Sequence, residues 1–291
     1  MFQRQRSGSV VCPSCGKLVS VKERQCPYCS RPFPGMFGFT GILRGLGQDM
    51  GFVPLVTWGC GLLYLVTLLV DPSQIFAGGL FGMLSPSTPS LFLFGASGAI
   101  PVFGEHRWWT LLSAAWLHGS LLHIVFNLMW VRDLGHLTTE AYGAGRTMIV
   151  YVVSGVTGFL LSTSVAAFLP FLPPFLAGAQ ITVGASASLF GMMGALVYYG
   201  RRAGASQLSA QVKKWVIVLV IFGFLWPRVD NWAHLGGFLG GYLAGRMMDP
   251  LQPERTDHLI GGFVCLLLSL GAVVVSVVHG IPILRQLGLL Q

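Results

Sequence analysis

Seven stretches of this chain are apolar over about the length of a bilayer core: Phe52–Val70, Trp109–Val131, Thr147–Phe168, Ile181–Gly200, Trp215–Trp226, Trp232–Met247 and Leu259–Val278. A spanning helix needs roughly twenty mostly apolar residues. It must also satisfy its own backbone polar groups, because lipid offers no partners. The fifth and sixth stretches are short at these limits and need flanking residues to cross. Charged residues make up only 10% of the 291, against about 25% in soluble domains, so little of the chain is left for a soluble part. The expected fold class is an all-α polytopic membrane protein. The first apolar stretch begins near Phe52, late for a cleavable signal peptide, and is expected to serve as an uncleaved insertion signal.

Between the first two stretches, Asp71 to Arg107 is apolar but broken by proline and glycine, as in "SPSTPSLFLFGASGAIPVFGEHRWW". It is expected to be a loop that dips into the interface, with Trp108 and Trp109 at headgroup depth. The basic residues set an orientation. With the N-terminus inside, segments 1–51, 132–146, 200–214 and 246–258 hold seven, two, four and two Lys and Arg, fifteen of the 18 in the chain. Only Arg107, Arg228 and Arg285 fall outside. Cytoplasmic loops carry such an excess. The net charge of +8 thus reflects membrane orientation, with a cytosolic N-terminus and an outer C-terminus.

The N-terminal stretch reads "CPSCGKLVSVKERQCPYC". Cys12 with Cys15 and Cys26 with Cys29 form two CxxC pairs, each able to make a knuckle whose thiolates converge on one tetrahedral zinc. Redox pairs or disulfides are the alternative, disfavoured on the cytosolic side. The module is too small to fold on apolar burial, so a structural Zn²⁺ is expected to supply its folding energy. The stretch resembles the zinc-ribbon family. Its role is structural, regulatory or the binding of a cytosolic partner. No base-reading helix is visible, so nucleic-acid binding stays a minor alternative. The expected domains are a cytosolic ribbon over 1–34, a linker over 35–51, a membrane core over 52–248 and a final span with its tail over 249–291. Cys60 and Cys265 are expected to be packed residues without a role.

Polar residues recur where they are expensive. The second stretch carries His118, His123 and Asn127, and the last two, four apart, share a helix face. The fourth carries Gly184-Ala185-Ser186 near its start, and the sixth, "NWAHLGGFLGGYLAG", carries His234 near its own. All three enter from outside. At about 1.5 Å per residue, Ser186 and His234 lie at similar shallow depths. Ionisable groups inside spans mark function by default. A serine becomes a nucleophile when a base takes its proton, and imidazole suits that task. His123, Asn127 and the Ser186 N–H could donate to an oxyanion. No carboxylate lies at this depth, so the set would be a Ser-His dyad, and Asp230 reads as part of a turn. Gly236, Gly237, Gly240, Gly241 and Gly245, facing Gly184, Ala187, Gly191 and Gly194, would let the two helices approach closely. Taken singly, Ser186 is also a packing residue and His234 a satisfied core histidine. His118, His123 and Asn127 would equally serve a metal site or a proton relay.

The motifs "HGSLLHIVFN", "GASA" and "AHLGG", in this order over Phe52 to Met248, resemble those of the rhomboid intramembrane serine proteases. The resemblance implies a six-helix core, here with a seventh C-terminal helix. It implies Ser186 as nucleophile, His234 as general base, His123 and Asn127 at the oxyanion site and His118 in support. It also implies that the loop before Trp109 lies partly in the outer leaflet. The expected activity is hydrolysis of peptide bonds in or near transmembrane helices of membrane-protein substrates, with no cofactor in the catalytic step. A non-catalytic membrane-protein binder or a transporter is the alternative. The expected location is a bacterial cytoplasmic membrane. Two positions depart from the family pattern. Ala187 stands where glycine usually follows the serine. Thr110 follows Trp109 where arginine is usual, the arginine being displaced to Arg107.

Overall fold

The structure is a computed structural model. It describes residues 5–12, 15–38, 48–75 (of residue 73 the backbone alone), 82–225, 229–286 and 288. Most of the expected linker (39–47), the end of the fifth stretch at Trp226 with Pro227, Arg228 and most of the tail beyond 286 lie outside the described residues.

The N-terminal module is a two-stranded ribbon. β1 (Ser9–Val11) pairs antiparallel with β2 (Leu18–Ser20), with Val10 opposite Val19. Val10, Val19 and Val21 pack with Cys12 and Cys26 into a core of a few side chains. So small a core cannot by itself offset chain entropy.

The rest is helical. In chain order come α1 (Phe52–Val70), α2 (Thr88–Phe94), the short α3 (Thr110–Ser113) continued as a 3-10 turn (Ala114–Trp116), α4 (Leu121–Tyr142), α5 (Ala144–Phe168), α6 (Ser186–Arg202), α7 (Ser206–Leu225), α8 (Asn231–Met247) and α9 (Thr256–Gln286). Four of these, α1, α5, α7 and α9, are each long and apolar enough to cross a bilayer. The segment Thr110–Trp116 with α4 meets the same test as a bent pair. α6 and α8 have 17 residues each. An all-α polytopic membrane protein is what these elements make.

Three expectations change in detail. The second apolar stretch is not one helix, because it bends by 93° between Trp116 and Leu121. The break has a local cause. Leu117 is extended, and the Ser120 hydroxyl accepts from the His123 N–H at 3.3 Å, capping a new helix. His118 therefore precedes the helix that carries His123 and Asn127. α4 also continues past Val131 to Tyr142, so most of 132–146 is helix rather than loop. The stretch after Asp71 holds α2, capped by Ser87, and a wide turn over Ile100–Gly104. The fifth stretch gains its missing length at its front, where α7 starts at Ser206.

α6 sits centrally, packed against α4, α5, α7 and α8. Its contact with α8 is made through backbone. A Cβ on Gly237 would run into the Ala187 carbonyl oxygen, one on Gly241 into that of Gly191, and one on Gly194 into that of Phe238. Membrane helices have no hydrophobic drive between them, so such close packing supplies the attraction.

At the far end of α8, the buried Arg146 closes the chain reversal. Its guanidinium donates to Tyr142 O, Met248 O, Asp249 O and Gln252 O. Glu254 accepts from the Arg146 N–H at 3.0 Å, and Arg31 of the ribbon donates to Glu254 O at 3.3 Å. The ribbon is thereby tied to the α8–α9 loop. Burial pushes the Glu254 carboxyl above its usual range, opposed by Arg146 and Arg31.

Candidate active site

Ser186 is the first residue of α6 and His234 lies in the first turn of α8. Glycine contacts hold the two helices together, and the Ser186 Oγ lies 2.9 Å from His234 Nε2. For Nε2 to accept the hydroxyl proton, the ring proton must sit on Nδ1. The imidazole lies flat on the Phe190 ring, with centroids 4.1 Å apart and planes 9° apart. Phe190 is one turn beyond Ser186 on the same helix face, so a single helix presents both the hydroxyl and the plate that orients its partner. Asp230 caps α8, its carboxylate accepting from the Ala233 N–H at 3.0 Å. It acts on the helix start, as the expected turn residue would.

Two further donors converge on Gly184, two residues before Ser186. His123 Nδ1 accepts from the Gly119 N–H at 3.3 Å, which leaves the proton on Nε2. That Nε2 would be 2.6 Å from a Cβ placed on Gly184, and Asn127 Nδ2 3.6 Å from it. Gly184 has φ +129, and lacking a side chain it lets the His123 ring approach its backbone this closely. The Asn127 amide nitrogen is buried and has no hydrogen-bond partner among the described residues. An unpaired buried donor is costly, and here it lies close to Gly184, two residues before the serine. The Gly184 N–H itself is taken by Ala114 O at 3.0 Å. Ser186 is half-buried, whereas His234 is 7% exposed. Chemically, this is a hydroxyl with an imidazole in contact and two N–H donors near the backbone two residues before it.

The profile of the Rhomboid domain family matches residues 105–250, half of the chain's 291 residues. The chain belongs to the rhomboid family. Rhomboid protease GluP of Bacillus subtilis (strain 168) is 31% identical over 191 residues, covering 64% of this chain and 35% of that protein. RHOMBOID-like protein 5 of Arabidopsis thaliana is 34% identical over 188 residues, covering 59% and 53%. Rhomboid-like protease 3 of Toxoplasma gondii is 28% identical over 211 residues, covering 69% and 70%. The chain thus spans about a third to a half of the length of the first two relatives.

Within this rhomboid, all four expected polar residues of the site, Ser186, His234, His123 and Asn127, come together. His118 is fully buried, its ring edge-on to that of His123 with centroids 5.1 Å apart, and its nitrogens face no partner among the described residues. It adjoins the site through this contact with His123. Phe190 and the Gly119 N–H were not anticipated. The signal for Phe190 is an aromatic four residues after the serine. The signal for Gly119 is the Gly-Ser pair that opens α4. Ala187 is buried, its backbone against Gly237 of α8 and its methyl toward Gly158 of α5. The displaced Arg107 is buried too, donating to Phe92 O and Ser276 O at 2.9 Å each, with its guanidinium over the Phe92 ring.

Away from this centre, the Cys12, Cys15, Cys26 and Cys29 sulfurs lie within 4.8 Å of one another. The Cys12–Cys29 and Cys15–Cys26 separations are each 3.7 Å. A tetrahedron of zinc–sulfur bonds of about 2.3 Å places its sulfurs about 3.8 Å apart, so the four thiols fit the ion. Each CxxC turns through a following residue in the left-handed region, Gly16 at φ 72 and Ser30 at φ 57.

Proposed function

We propose that this chain is an intramembrane serine endopeptidase that cuts peptide bonds in or near transmembrane helices of membrane-protein substrates. The observation that carries this is the 2.9 Å contact between Ser186 Oγ and His234 Nε2. In this reading Ser186 attacks the scissile carbonyl while His234 Nε2 takes its proton. The oxyanion lies beside Gly184, facing His123 Nε2–H, the Asn127 amide and the Ser186 N–H, which at a helix start has no intrahelical partner. His234 returns its proton to the leaving amine. Water then adds to the acyl-serine, with His234 again as base. Phe190 keeps the imidazole in plane with the hydroxyl throughout.

The same proposal takes six helices, α1, α4, α5, α6, α7 and α8, as the core over 52–248 and α9 as a seventh span. The Lys and Arg distribution supports a cytosolic N-terminus and an outer C-terminus. The ribbon over 1–34 would then be a cytosolic module holding one structural zinc on its four cysteines. Its nearest partner is internal, the α8–α9 loop.

The test is cleavage of a membrane-spanning reporter in liposomes by wild type, Ser186→Ala and His234→Ala, together with labelling by a fluorophosphonate. Cleavage and labelling by wild type, both lost in the Ser186 variant, are the expected result. Folded wild type that neither cleaves several reporters nor takes the label would overturn the proposal.

A further inference from the structure

α9 lies beyond the matched Rhomboid domain, which ends at residue 250. Two of its serines are bonded to the segment that precedes α4. Ser269 and Ser276 are seven residues apart, two helical turns, and so share a face. Both are buried. Ser269 Oγ accepts from the Trp116 indole N–H at 3.0 Å, and Ser276 Oγ accepts from that of Trp109 at 3.0 Å. The Ser276 carbonyl also accepts from Arg107 at 2.9 Å. α9 thus holds the stretch 107–116 at three points. In hydrocarbon each of these donors would otherwise lack a partner, which fixes the register of helix against segment.

That stretch in turn supports the site from two sides. Ala114, between the two anchored tryptophans, gives its carbonyl to the Gly184 N–H at 3.0 Å. Three residues past Trp116, the Gly119 N–H meets His123 Nδ1 and sets which nitrogen of that ring carries the proton. The path from α9 to the reacting groups is therefore Ser269 and Ser276, then Trp116 and Trp109, then Ala114 and Gly119.

We propose that Ser269 and Ser276 are positioning residues for the Ser186 centre, and that the seventh helix is the strut fixing the backbone from which Ser186 and His123 project. This rests on Ser186 being the nucleophile. The mechanical part stands or falls separately.

The experiment compares the full-length protein in nanodiscs with Ser269→Ala, Ser276→Ala, the double variant and Leu267→Ala. Leu267 is an exposed position on the same helix. Two quantities are read, amide exchange over 110–117 and 182–186 and the rate of fluorophosphonate labelling. In the double variant, exchange at Gly184 is expected to rise and labelling to slow, each about tenfold, the usual scale for losing a buried hydrogen bond. Reporter kcat should fall with KM unchanged. Exchange within α5 and the body of α6 should stay as in wild type, which a general loss of stability would not allow. Ser269→Thr keeps an acceptor oxygen and should restore both rates relative to Ser269→Ala. Leu267→Ala should change neither. Should the double variant fail to fold, the Ser269→Ala and Ser269→Thr pair carries the same comparison. Wild-type exchange at Gly184 in a folded serine variant would overturn the strut. Absence of labelling in wild type would instead overturn the hydrolase reading, with exchange still deciding the strut.

Discussion

Gly237 of α8 meets the Ala187 backbone of α6 with no room for a side chain between them. The residue after Ser186 is thus pressed directly on the helix that carries His234. Gly237→Ala should force the helices apart. Overpacking of this kind costs about 1–3 kcal/mol, and the Ser186–His234 contact should open with it. The expected outcome is a lower unfolding midpoint together with slowed fluorophosphonate labelling. Labelling at the wild-type rate would show that the dyad does not depend on this contact.

His123→Ala and Asn127→Ala should each slow cleavage by about 10²–10³, the usual effect of removing one oxyanion donor. Binding of the substrate helix should be little altered, so the loss belongs in kcat. Single-turnover cleavage at saturating reporter measures it. A loss confined to KM would count against donors at this position.

The ribbon should carry one zinc per chain, measured by elemental analysis of purified protein. Stripping it with a strong chelator should expose 5–38 to limited proteolysis, because the ribbon's small core cannot hold it folded. Helical content of the membrane part should remain.

Ser30 repeats in the second knuckle the left-handed turn that Gly16 makes in the first. Ser30→Gly should relieve the Cβ strain and stabilise the ribbon by about 0.5–1 kcal/mol. A higher chelator concentration at half-release of zinc is the readout. An unchanged or lower midpoint would show that the turn carries no strain.

Glu254 links the ribbon to the α8–α9 loop and is held above its ordinary value by burial. A raised carboxyl favours the folded state below its unfolded value of about 4.5, and that contribution is lost as pH rises through the folded value. Unfolding of the helical part, followed upward from pH 4.5, should therefore show a decline that Glu254→Gln removes. The core is the right probe, since a metal held on the ribbon thiolates would be released in acid.

The membrane-spanning character and the dyad were legible because both rest on strong local signals. Long apolar runs have few solutions in lipid, and Ser186 and His234 each stand out as polar groups at the start of such a run. The bend before α4 was written in Gly119 and Ser120, yet an unbroken apolar count passes over a capping serine. The start of α7 at Ser206 is hidden because its first turns, with Lys213 and Lys214, are polar. The partners of Arg107 could not be read at all. They are carbonyls at Phe92 and Ser276, and nothing in a side-chain pattern marks which backbone oxygen a distant guanidinium will find. The Arg31 link to Glu254 is hidden for the same reason.

The dyad joins two helices whose reacting residues are 48 positions apart in the chain. Synthesis proceeds from the N-terminus, so α6 leaves the ribosome before α8 does. Until the glycines of α8 seat against Ala187 and Gly191, Ser186 lacks its contact with His234. On the proposed reading, the chain would therefore gain its activated serine only when the α6–α8 contact has closed.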